Sequence, residues 1–208
     1  MIMELDQRHF EALEKAEALM LRSDFCPYLD LKELFRDRSD LGRARCRSLF
    51  INFCRLGVGG LTEDFKKKFF EILFSEEVIV NGKPDFFNIL NDLSGYERRN
   101  DDFAIPFSFV SKLVGMHCES SPIYDRHVVA FFHAKPPLPS AGKESRINWF
   151  IGFLAEVTKS YHDWANEERV KPVLERLKVF DSRLSKCHEV RLMDFLVWKT
   201  GKEKLLIS

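Results

Sequence analysis

Phe107-Ser108-Phe109-Val110-Ser111-Lys112-Leu113-Val114-Gly115-Met116-His117, then Cys118 to Ser121, then Pro122-Ile123-Tyr124-Asp125-Arg126-His127-Val128, reads as helix, tight turn and helix. Pro122 fixes the approach, and Asp125 stands where an N-cap belongs, because a short side-chain oxygen there accepts an otherwise orphaned backbone N–H. Val128, Val129, Phe131 and Phe132 then begin the next buried face. Asp125 admits two readings: a cap and nothing more, or a carboxylate held in place for chemistry.

The same helical spacing extends in both directions. Leu5, Leu13, Ala16, Leu19 and Met20 recur at three- and four-residue steps and predict a helix over Glu4 to Arg22, with Pro27 closing that region. Leu49, Phe50, Phe53 and Cys54 predict another between Arg43 and Leu56, stopped by Gly57-Val58-Gly59-Gly60. Thr62 caps the next, whose apolar side carries Phe65, Phe69, Phe70, Ile72 and Leu73, so that the two form a helical hairpin. Val78-Ile79-Val80 before Asn81-Gly82 reads as a loop, since one strand without a partner makes no sheet. Pro84 opens a helix that Gly95 ends, and Ser108 to His117 forms another. Pro136, Pro137, Pro139 and Gly142 mark an exposed loop or linker over 134–143, after which helices are expected near 145–163, 170–178 and 186–199. No internal repeat is visible.

Composition agrees with one helical globular domain over 1–208. The chain has 32 Lys+Arg against 32 Asp+Glu, and 45% of it is apolar, so disorder, collagen and low complexity are excluded. Its longest apolar runs fall far short of the roughly 20 residues that span a bilayer. With no basic and apolar leader at its start, it is expected to be cytoplasmic, with no membrane partner. Five scattered cysteines (Cys26, Cys46, Cys54, Cys118 and Cys187) show no metal-site spacing. His117, His127 and His133 are equally ill spaced, so neither metal nor cofactor is expected. Ser111 and Ser120-Ser121 lack a nucleophile elbow. Phenylalanine is abundant, at 20 of 208 residues, as suits a core filled with rings. Trp149, Trp164 and Trp198 occupy core-like helical positions.

Charge is uneven. From Arg36 to Lys68 nine basic residues (Arg36, Arg38, Arg43, Arg45, Arg47, Arg55, Lys66, Lys67, Lys68) face four acidic ones (Asp37, Asp40, Glu63, Asp64), a local net of +5. A phosphate-facing surface has this pattern, and so does a solvated helix face.

Pro122-Ile123-Tyr124-Asp125-Arg126-His127-Val128, preceded by a helix, resembles the segment around the essential aspartate of the helix-hairpin-helix DNA glycosylase superfamily, most of all its eight-oxoguanine DNA glycosylase-like branch. Asp125 and His127 match that pattern. Arg191 to Gly201, with Leu192, Phe195, Leu196 and Trp198, is similar to the C-terminal helix of such proteins. The resemblance implies an all-α, two-lobed helical domain with the Asp125 helix start lining the cleft between lobes. It implies a DNA partner and base excision repair. The base is drawn from the stack into a pocket formed by Phe107, Tyr124, His127 and Trp198, with Arg43, Arg45, Arg47, Lys66, Lys67 and Lys68 on phosphates. It makes Asp125 the carboxylate that stabilises the positive charge developing on the sugar as an altered purine leaves.

The chain departs from that family at two places. Branches that also cut the strand attack the sugar with a lysine amine, whose position here falls near Phe107. The candidate on this helix is Lys112, about 140° further around, either a surface or salt-bridging residue or a nucleophile. The Gly-x-Gly hairpin that grips phosphate is missing between Gly95 and Pro106. Two other functions therefore stand beside the glycosylase: a catalytically silent nucleic-acid or nucleotide binder, and a protein-interaction module.

Overall fold

Helix caps and apolar periodicity account for most of the architecture. The computed structural model describes residues 3–54, 61–96 and 105–206. In chain order, α1 (Gln7–Ala18), α2 (Arg22–Arg36), α3 (Asp40–Phe53) and α4 (Glu63–Leu73) precede a two-strand hairpin, β1 (Ile79–Val80) and β2 (Lys83–Pro84). Then follow α5 (Phe86–Leu93), α6 (Phe107–His117), α7 (Arg126–Phe131), α8 (Lys143–Ala165), α9 (Lys171–Val179) and α10 (Glu189–Lys202). Asp6, Ser39, Thr62 and Asp85 cap α1, α3, α4 and α5, each accepting a backbone N–H three residues on. The fold class is thus all-α. Among the described residues no helix is long and apolar enough to cross a membrane.

Three features differ from the sequence reading. The helix expected over Glu4 to Arg22 ends at Ala18, and a new one starts at Arg22, where the Asp24 carboxylate accepts the Leu21 N–H at 3.0 Å. Pro27 lies inside α2 instead of closing the region. Its ring already has a helical φ, and the one carbonyl it leaves without a helical donor belongs to Ser23, which faces water. The buried stripe Phe25, Tyr28, Leu29, Leu31 and Phe35 then holds α2 against α3 and α10. Val78 to Val80 is likewise more than a loop. Asn81 and Gly82 take positive φ (51° and 74°), and the chain pairs Val80 with Lys83 and Ile79 with Pro84 across that turn. The stop at 57–60 and the segment 97–104 lie outside the described residues. Over 134–142 the chain is irregular apart from one 3-10 turn, Pro139–Ala141, with Leu138 exposed, and α8 begins at Lys143.

The centre of the core is α10. Every residue from Val190 to Val197 is buried, so the helix packs on α1, α7 and α8 and also touches α2 and α9. A helix buried all round should be apolar all round, yet this one carries Arg191 and Asp194, 0% and 4% exposed. Gly201 lets α10 approach α7 closely, because a Cβ there would meet the His127 carbonyl oxygen at 2.5 Å.

Candidate functional site

The link from α6 to α7, residues 118–125, is held by side chains from two helices. From α6, the Ser111 Oγ accepts the Tyr124 N–H at 2.9 Å. From α10, the Asp194 carboxylate accepts the Ile123 N–H at 2.9 Å, and the Arg191 guanidinium donates to the Ser121 carbonyl at 2.7 Å. Arg191 and Asp194 also bond to each other. The guanidinium lies 5.0 Å from the Tyr28 ring centroid and packs closely against Gly115, where a Cβ would stand 2.9 Å from Nη2. Outside this layer, Lys32 donates to the Met116 carbonyl at 2.8 Å and pairs with Glu119 at 3.1 Å, and Glu119 accepts the His188 N–H.

Burial sets the electrostatics of this cluster. It pushes the Asp194 carboxyl up to about 6, against the pull of Arg191 and the Ile123 N–H. It also pushes Tyr28 up to about 12 and Tyr161 well above the ordinary phenol range. The Tyr161 hydroxyl bears on Asp194, although neither it nor Asp194 Oδ1 has a hydrogen-bond partner among the described residues. Burial raises Glu119 too, but Lys32 and the His188 N–H outweigh it and hold that carboxyl low.

Asp125 is the product of this scaffolding. It is extended (φ −140°, ψ 154°), caps α7 by accepting the His127 N–H at 2.9 Å through Oδ1, and is half-buried. Around it the expected pocket residues form two separate pairs. Phe107 and Tyr124 meet edge to face at 5.8 Å, and Phe107 also stacks on Phe150 at 4.5 Å, while Tyr124 touches Trp149 and Phe153. His127 meets Trp198 at 6.3 Å, with Lys202 over the Trp198 ring. Lys112 donates to Ser108 Oγ on its own helix at 3.1 Å, and among the described residues no hydrogen bond or ion pair joins it to Asp125.

The expected phosphate contacts fall into three pairs. Lys66 pairs with Glu63 at 2.7 Å and Lys68 with Asp92 at 3.5 Å. Lys67 and Arg45 are exposed. Arg43 and Arg47 lie over phenylalanine rings, Arg43 on Phe74 and Arg47 on Phe70 and Phe74. Two open clefts, of about 480 and 230 Å³, lie elsewhere, one beside Lys68, Asp85 and Asp92 and one beside Lys171, Cys187 and Glu189. Among the described residues no group of three His, Cys, Asp or Glu side chains could hold a metal ion.

Sequence reasoning gave Arg191, Asp194, Ser111 and Gly115 no part in the site. The available signal was two charges three residues apart in the apolar run Val190 to Val197, since charges enter a buried helix only with partners. No protein-family model, curated protein or solved structure matches the chain.

Proposed function

We propose that this chain is a DNA N-glycosylase-like protein, of the eight-oxoguanine DNA glycosylase-like branch of the helix-hairpin-helix superfamily, that binds DNA and releases an altered purine with Asp125 facing the sugar. One observation carries the reading: the backbone leading to Asp125 is tied at Ser121, Ile123 and Tyr124 by buried side chains from α6 and α10. A helix cap needs only its own short side chain. A carboxylate that must meet charge developing on a sugar needs a fixed position, because preorganisation removes the reorganisation step at the moment of reaction. The bond from Lys112 to Ser108 supports water, rather than a lysine amine, as the nucleophile.

A second reading, a catalytically silent binder, is favoured by the rings around Tyr124, which pack on one another and on Phe150. Single-turnover base release from a panel of duplexes carrying modified purines separates the two. The glycosylase reading expects release by the wild type and a loss of about a hundredfold in Asp125→Asn. Release at equal rates removes Asp125 from the chemistry, and release by neither protein on any duplex removes catalysis and leaves the binder.

A further inference from the structure

About half of the lysines and arginines among the described residues pair with a carboxylate. Arg22, Arg176, Arg183 and Lys199, among others, each have a carboxylate within ion-pair distance. Arg38, Arg43, Arg45 and Arg47, all within ten residues, have none among the described residues. Three of them rest on aromatic rings instead: Arg38 over Phe35 at 5.1 Å, Arg43 over Phe74 at 5.5 Å, and Arg47 over Phe70 and Phe74 at 5.6 Å. Those rings make a row. Phe35 and Phe74 are 17° from parallel at 6.3 Å, and Phe70 and Phe74 are 21° from parallel at 6.4 Å.

The inner side of the row is closed. Phe35 and Phe70 are buried, and the His117 ring stands edge-on to Phe35 at 4.8 Å, fixed by donating Nε2–H to the Leu73 carbonyl at 2.8 Å. The outer side is open, since Arg38 and Arg47 are exposed. Arg43 is half-buried, and its Nε, shielded from solvent, has no partner among the described residues.

We propose that this face, Arg38, Arg43 and Arg47 over Phe35, Phe70 and Phe74, is a binding platform for single-stranded nucleic acid. A guanidinium whose inner face rests on phenylalanine presents a flat outer face, on which a base stacks, and an edge of N–H donors, which suits a phosphate. An unpaired strand offers both partners; a duplex keeps its bases inside and offers phosphate alone. An acidic protein or an anionic lipid surface needs only the charge, which lysine supplies as well. The platform rests on the reading above in taking nucleic acid as ligand, but not on chemistry at Asp125.

The test is fluorescence anisotropy with the full chain and a labelled, undamaged oligonucleotide, as single-stranded DNA, single-stranded RNA and duplex DNA, over a range of salt. Single strands are expected to bind about tenfold or more tighter than the duplex. Replacing the three arginines by lysine (Arg38→Lys, Arg43→Lys, Arg47→Lys) keeps charge and loses the planes, so single-strand affinity should fall about tenfold with the salt slope unchanged. Replacing the same three by glutamine should also lower that slope, by about 2 for three phosphate contacts. If the triple variants melt early, the exposed Arg47→Lys alone carries the comparison. Binding of the duplex as tightly as the single strand, an unchanged affinity in the lysine variant, or equal affinity for anionic phospholipid vesicles or polyaspartate would overturn the proposal. Asp125→Asn is expected to bind like the wild type; binding of single strands by a wild type that releases no base sinks only the catalytic reading, and base release by a wild type that shows no single-strand preference sinks only the platform.

Discussion

Replacing Arg191 by methionine probes the layer that holds the Asp125 segment. Methionine keeps the unbranched stem and fills much of the volume, but it leaves Asp194 buried without its cation and the Ser121 carbonyl without its donor. Breaking a buried pair on one side costs about 3–5 kcal/mol, which for a domain of this size lowers the melting temperature by about 10 °C. The cost also depends on pH. In the fold Asp194 sits at about 6 against an ordinary 3.8, so its contribution to stability is complete below about pH 4. It declines as pH rises through about 6, by about 3 kcal/mol in total. Without Arg191 the main influence lowering this pKa is gone, the proton is retained to higher pH, and ionisation at neutral pH costs more. Urea unfolding of Arg191→Met and wild type should therefore show a difference about 1–2 kcal/mol larger at pH 7.5 than at pH 5. A difference below 1 kcal/mol at pH 7.5, or one that does not change with pH, would refute the claim that this cation supports a buried carboxylate.

Asp125→Asn should leave the melting temperature within about 2 °C of the wild type, because asparagine caps about as well as aspartate; a large drop would mean that the carboxylate has a structural role beyond the cap. Borohydride reduction during incubation with modified duplexes should trap no covalent adduct, since Lys112 is bonded to Ser108, and an adduct lost in Lys112→Ala would reverse that conclusion. Gly201→Ala should cost about 1–3 kcal/mol by forcing α10 from α7, read by thermal unfolding, because the new Cβ meets the His127 carbonyl at 2.5 Å. A neutral result would show that the two helices part easily.

Much of the fold was legible in the residues alone, for a local reason. Asp125, Thr62 and the apolar steps of α4 and α8 act through contacts two to four residues apart, which the sequence displays directly. Asn81-Gly82 was equally plain as a turn. Its strand was missed because the partner is only two residues long and contains Pro84, which advertises no strand. Pro27 misled for the converse reason: the rule that proline ends helices reflects a lost hydrogen bond, and at an exposed turn water makes good the loss.

What tertiary structure alone decided is who meets whom across the chain. Arg191 reaches a carbonyl 70 residues away, and Asp194 an amide 71 away. Arg43 and Arg47 find the rings of Phe70 in α4 and Phe74 just after it, where the sequence showed only positive charge. Helix periodicity states which face turns inward but not which helix covers it. A buried charge is tolerable only where desolvation is met by partners converging from separate elements, and those partners become neighbours only when α6, α7 and α10 pack around the same core.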